Sequence, residues 1–242
     1  MLMLKWVEID LKTLAGNARA IKRALRPGVS FMAVGKADGY GHGAAEVARA
    51  ALAGGADCLG VLTADEGALL RASFPRTPIH LLAPSLPEEA PAIVKNGLAP
   101  TADSFAFIKA LDRAAKKPVP YTLDIDLGLG RWGVKPADAE KFLAGALAVK
   151  KARPAAVSAH LAYRPPQNMT EAEEKLSSFS ALADKLRALA PGLKAHAANS
   201  AIFADFPHWQ LDRVRIGNLL YGIYPTDVYK KRRQGPPLPG LG

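Results

Sequence analysis

Eight short apolar runs, most of them separated by helical patterns, constrain this chain more than any other feature. They fall at 31–35, 58–62, 78–82, 98–101, 119–126, 155–160, 195–198 and 212–216. Short apolar runs bounded by turn residues read as strands buried on both faces. Between them lie segments with the apolar spacing of helices, for example 105–115, 137–150 and 170–190. Eight strands alternating with helices predict a parallel (β/α)8 barrel, an α/β fold of the TIM type. An open doubly wound sheet is the alternative, but no Gly-x-Gly-x-x-Gly follows the first strand. Residues 6–11 alternate apolar and polar as an extra N-terminal strand should, and 11–25 read as an amphipathic helix stopped by Pro27-Gly28. The expected organisation is an N-terminal strand (1–11), a barrel (12–229) and a basic, Pro/Gly-rich linker or tail (230–242).

At 242 residues and 49% apolar, the chain has the material for one barrel-sized core. The formal charge of +10 raises the question of nucleic acid. The cations are spread along helices with few aromatics among them, and the one compact cluster is Lys230-Lys231-Arg232-Arg233. They read as solvated faces, so no specific nucleic-acid partner is expected. No apolar run is long enough to span a membrane. Glu8 and Asp10 come too early for a signal peptide, and the single Cys58 fits a reducing, cytoplasmic setting. No histidine pair has metal-ligand spacing, there is no P-loop, and no nucleophile elbow surrounds Ser158 or Ser200.

The most informative stretch opens on the run 31–35. A lysine, Lys36, ends the run, then come three glycines in five residues, then a helical segment from Ala44. Barrels do their chemistry at the C-terminal ends of their strands, and a lysine there can form a Schiff base. Taken alone, Lys36 reads better as a solvated strand-end lysine. The whole string Lys36-Ala37-Asp38-Gly39-Tyr40-Gly41-His42-Gly43 closely resembles the cofactor-lysine motif of bacterial alanine racemases, which bind pyridoxal phosphate. The resemblance implies that Lys36 carries the Schiff base and that Tyr40 donates to the phosphate. Gly39 departs from the larger residue usual at that position.

Three further motifs extend the resemblance from residue 6 to about Tyr221. The segment Asp126-Leu127-Gly128-Leu129-Gly130-Arg131 is similar to the family's Asp-Thr-Gly-Met-x-Arg, with leucines in place of Thr and Met. By resemblance Arg131 donates to the cofactor's phenolic oxygen. Asp124 stands where many members carry a carbamylated lysine, and keeps a negative charge near Arg131. His160 ends the sixth run and, by resemblance, supports the arginine that faces the cofactor ring. On their residues alone, Asn199 and Ser200 are ordinary helix N-caps. Barrels nevertheless often hold phosphate in the loops after strands seven and eight, which here carry Ser200 and Gly217. The resemblance implies that Ser200 and the backbone at Gly217 hold phosphate and that Arg215 meets the pyridine nitrogen. Asn199, Asn218 and Tyr221 complete the expected cofactor-binding set.

The implied activity is interconversion of L- and D-alanine, which supplies D-alanine for peptidoglycan. The implied assembly is a homodimer in the complete protein. Alanine racemases continue past the last of these motifs into a β domain, so the chain is expected to be the barrel portion, without that domain, and a weak racemase alone. No residue here is assigned as the second base; Tyr163, Tyr224 and Tyr229 lie outside the motifs. The alternatives are a single-barrel pyridoxal phosphate homeostasis protein, or a barrel lyase or aldolase using Lys36 without a cofactor.

Overall fold

The computed structural model describes residues 6–224. The expected tail at 230–242, its basic cluster and Tyr229 lie outside the described residues. Eight strands alternate with helices in the order read from the sequence: α1 (Leu11–Arg23), β1 (Ser30–Val34), α2 (Lys36–Gly41), α3 (Ala44–Ala53), β2 (Cys58–Val61), α4 (Ala64–Ser73), β3 (Ile79–Pro84), α5 (Ala90–Lys95), β4 (Ala99–Ala102), α6 (Phe105–Ala114), β5 (Val119–Ile125), α7 (Ala139–Leu147), β6 (Ala152–Ala159), α8 (Met169–Leu189), β7 (Lys194–His196), α9 (Ser200–Asp205) and β8 (Arg213–Ile216). All strand pairs are parallel, in the order β7-β6-β5-β4-β3-β2-β1-β8. Backbone bonds from Asp212 N to Ala195 O (3.0 Å) and from Arg215 N to Ala198 O (2.9 Å) bring the two ends of this ladder together. The result is a nearly closed barrel, as the alternation predicts.

The layers follow from side-chain alternation along each strand. Phe31 and Ala33, Leu59 and Val61, Ile79 and Leu81, and Leu123 and Ile125 are buried in the core with Leu14, Ile21, Phe107, Leu111, Leu143, Leu176 and Phe179 of the helices. Burying each of the larger chains stabilises the fold by about 1.5–3 kcal/mol, so this layer is the main source of stability. Helix starts are fixed by side chains that satisfy free N–H groups. Asp10 accepts from Lys12 N (2.8 Å) and Thr13 N (3.1 Å), and Thr63 with Glu66 forms a reciprocal capping box at α4.

Two expectations need correction. Residues 6–10 form no strand, and Leu11 already belongs to α1. Their alternation is real, but a strand needs a neighbour to accept and donate its ladder bonds. Both β1 edges are already taken, by β2 and β8, and Trp6 and Val7 are exposed. The helix read at 137–150 is shorter: Pro136–Asp138 form a 3-10 turn and only Ala139–Leu147 are α-helical. Among the described residues, no helix is long and apolar enough to cross a membrane.

Candidate active site

The site begins where β1 ends. The stretch read as a glycine-rich loop is a tight left-handed turn: Ala37, Asp38, Gly39 and Tyr40 all have φ between 50° and 62°. For residues with a Cβ this costs about 1–2 kcal/mol each, so the turn needs outside support. Glu66 at the start of α4 gives it, accepting from Ala37 N and from Leu62 N, both at 2.7 Å. Asp38 Oδ1 accepts from Ala44 N (2.8 Å) and ties the turn to α3. At Gly39 a Cβ would meet Val47 Cγ2 at 3.0 Å, so the small residue suits both the backbone and the contact. The turn brings Lys36 and Tyr40 to one cavity, with Nζ 5.9 Å from the Tyr40 ring centre.

Tyr40 is held from both sides. Its ring lies 5.1 Å from that of Tyr221, whose hydroxyl donates to Val34 O (3.3 Å). Tyr221 therefore backs Tyr40 and does not line the cavity. On the other side, a Cβ on Gly217 would lie 2.8 Å from the Tyr40 hydroxyl oxygen, so only glycine leaves that oxygen its place. Ser200 Oγ accepts from Gly217 N (3.1 Å) and Leu219 N (3.4 Å). Asn199 caps α9, accepting from Ala201 N and Ile202 N, both at 3.0 Å. The strand-end turns after β1, β7 and β8 thus meet around two hydroxyls and a bare backbone, a set suited to an oxyanion.

Next to this corner Arg215 is buried, with both terminal nitrogens of its guanidinium held by strand ends. Nη1 donates to His196 Nδ1 (2.5 Å) and His196 O (2.9 Å), and Nη2 to Ala159 O (2.6 Å). β7 stops at His196, which frees the carbonyls that receive the arginine. Burial and neighbouring cations lower its pKa to about 10, still charged at neutral pH. His160 was expected to support this arginine. Arg215 instead donates to His196, Ala159 and Ala197, while His160 lies close enough for the charges of Arg215, Arg131 and Lys36 to act on it. Burial first, then these cations, push His160 down to about 3, so its ring is neutral.

The opposite wall is looser. Asp126 folds the loop after β5 by accepting from Gly128 N (3.0 Å) and Gly130 N (3.1 Å). Val134 N closes it on Asp124 O at 2.9 Å. Arg131 stands exposed on this loop with its guanidinium 3.7 Å from the Trp132 ring centre. It makes no ion pair with Asp124, whose carboxylate accepts from Ser158 Oγ (2.5 Å). Burial pushes Asp124 up to about 6, against the Ser158 hydrogen bond and the charges of Arg215 and Arg131.

Lys36, Tyr40, Arg131, His160, Asn199, Ser200, Arg215, Gly217 and Asn218 all line one cavity of about 390 Å³; of the expected residues only Tyr221 stands behind it. Sequence reasoning missed Glu66, Trp132 and His80. Glu66 had a signal, since Thr63-x-x-Glu66 is a capping-box pattern. The other two had none. Pyridoxal phosphate fits this donor set: an amine at a strand end, an oxyanion corner beside it, and a fixed guanidinium in the same cavity.

Comparison with known proteins agrees with this geometry. The family model described as "Alanine racemase, N-terminal domain" matches residues 9–225. An alanine racemase of Desulfosudis oleivorans is 38% identical over 234 residues, covering 91% of this chain and 60% of its own length. One from Desulfovibrio desulfuricans is 36% identical, with 92% and 61% covered. The structure of alanine racemase from Clostridium difficile 630 in complex with cycloserine superposes with a TM-score of 0.87 at 28% identity, covering 94% of this chain and 64% of that one. The chain thus spans about 60% of the length of the curated relatives it matches. By the extent of that match, this chain belongs to the alanine racemase family, through its N-terminal domain.

Proposed function

We propose that the chain is the cofactor-binding barrel of an alanine racemase that uses pyridoxal phosphate and interconverts the enantiomers of alanine. The observation that carries this reading is the meeting of Lys36, Tyr40, Ser200, Gly217 and Arg215, from the turns after β1, β7 and β8, around one cavity. Bound pyridoxal phosphate supplies the electron-accepting ring that makes an α-proton removable. Lys36 Nζ would be the amine that holds the aldehyde, and would move the proton at the substrate Cα on its own face. Tyr40, Ser200 and the backbone at Gly217 hold the phosphate. Arg215 would donate to the ring nitrogen and keep its own proton there, which would favour simple proton exchange over deeper electron withdrawal. Arg131 reaches the ring's phenolic oxygen from the loop after β5, with Asp124 balancing its charge.

The base for the opposite face is assigned to a partner subunit of a cytoplasmic homodimer, outside residues 6–224. The test supplies the chain with pyridoxal phosphate and incubates each alanine enantiomer in deuterated water. Proton NMR should show loss of the α-proton signal, faster for one enantiomer. Borohydride reduction and peptide mapping should place the cofactor on Lys36, and Lys36→Ala should abolish both results. A label on Lys5 or Lys135, or exchange that survives Lys36→Ala, overturns the reading.

A further inference from the structure

An exposed arginine on a loop ordinarily samples many rotamers, and aiming one at a ligand costs that freedom. Arg131 is such a residue. Among the described residues it makes no hydrogen bond and no ion pair. Asp124 acts on it through space, but Asp124 Oδ1 is taken by Ser158 Oγ. What Arg131 does have is a face. Its guanidinium carbon lies 3.7 Å from the centre of the Trp132 ring, which is van der Waals contact. A guanidinium is planar and weakly hydrated, so it stacks well on an aromatic ring. Stacking fixes the plane and leaves all five N–H groups free along its edge. A carboxylate partner would occupy some of them.

The indole is the fixed member of this pair. After it, Gly133 N donates to Oδ2 of Asp103, the residue that follows β4, at 3.2 Å. Val134 N donates to Asp124 O (2.9 Å), and Asp126 N to Val134 O (3.0 Å), so the chain returns along the end of β5. Gly133 has φ 107°, and a Cβ there would lie 2.7 Å from Asp126 N, so only glycine permits this approach. Before the indole, Asp126 gathers Gly128 N and Gly130 N. Trp132 therefore sits between two tied points, half-buried, with its side chain lining the same cavity as Arg131. With its backbone tied, an indole has only two side-chain torsions left to vary.

We infer that Trp132 is the positioning residue for Arg131: the indole, tied at the cavity rim, holds the guanidinium flat and leaves its N–H edge free for an anionic oxygen in the cavity. The loop thus supplies part of the order that a lone exposed arginine would draw from its ligand. The identity of that oxygen rests on the proposed cofactor reading; the stack does not.

The first test needs no cofactor. NMR of the chain should show the Arg131 side-chain protons shifted upfield by the indole. The order parameter of Arg131 Nε–H should lie well above that of Arg153, an exposed arginine without such a ring. Trp132→Leu should abolish the shift and lower the order to the Arg153 level, and Trp132→Phe should keep most of both. The second test is titration with pyridoxal phosphate. Trp132→Leu should weaken binding about two- to tenfold, the cost of ordering one freed side chain, and Trp132→Phe should restore it. In an Arg131→Ala background, Trp132→Leu should change nothing more, because the indole acts through the arginine. An unshifted, disordered Arg131 in the parent chain overturns the inference. So does unchanged affinity in Trp132→Leu, or an equal loss in the Arg131→Ala background. If Trp132→Leu does not fold, the parent and Trp132→Phe spectra decide. If the parent chain binds no pyridoxal phosphate, the proposed function fails and the NMR result decides the positioning role by itself.

Discussion

The two arginines facing the cavity are each followed two residues later by a glycine in the sequence, yet their surroundings are opposites. Arg215 sits among carbonyls of β6 and β7, with its direction set before any ligand arrives. Arg131 lies on an exposed loop, stacked on Trp132, and its carboxylate neighbour Asp124 is bound to Ser158 instead. One wall is built as part of the barrel; the other is positioned by a loop. Preorganised groups lose little freedom on binding, whereas loop groups must be ordered by the ligand. In this molecule the corner assigned to the phosphate and ring nitrogen is held by hydrogen bonds between strand ends, and the rim assigned to the phenolic oxygen by an exposed loop.

The largest effect that would test this contrast is on stability. Arg215→Ala strips buried carbonyls of their donor and should cost about 2–5 kcal/mol. Arg131→Ala, on the surface, should stay within about 0.5 kcal/mol. Urea unfolding of the two variants reads the difference; equal losses would erase the distinction between the walls.

Asp124 sharpens the comparison through pH. Its folded pKa, about 6, lies above the ordinary aspartate value of 3.8, so between them the folded chain keeps a proton the unfolded chain has released. This carboxyl therefore loses stability for the chain as pH rises through that window, by about 2–3 kcal/mol in all. His80 and His160, both lowered to about 3, and His196, also lowered by burial, work in the other direction and make stability rise towards pH 6.5. Asp124→Asn removes the opposing part. Its stability should climb more steeply between pH 4 and 6 and exceed that of the parent at pH 7. Overlaying curves would mean the loop-side carboxylate is ionised and paired, and that this wall is as fixed as the other.

The smallest expected effect is at Tyr40. Tyr40→Phe keeps the ring against Tyr221 and removes only the hydroxyl beside Gly217. Titration with pyridoxal phosphate should show about 0.5–1.5 kcal/mol weaker binding, with an unchanged Tm. A falling Tm with unchanged affinity would make Tyr40 part of the scaffold alone.

By itself the sequence determined the barrel, because a run of Phe31-Met32-Ala33-Val34 followed by turn residues and a helical pattern is a local signal repeated eight times. It also determined Lys36, Tyr40, Arg131, Ser200, Arg215 and Gly217 as candidates, because each lies in a motif a few residues long at a strand end. Where a local signal needed a distant partner it misled: the alternation at 6–10 found no strand to pair with. Tertiary structure alone decided that His196 rather than His160 holds Arg215, that Glu66 holds the turn at Ala37, and that Arg213 on β8 meets His80 on β3. It also turned the supposed loop after Lys36 into a left-handed turn. Hydrogen bonds and backbone strain depend on which groups meet in space, and barrel closure sets those meetings among residues 19, 29 and 133 positions apart. Composition and periodicity carry the strands and their ends; the partners across the barrel exist only once it has closed.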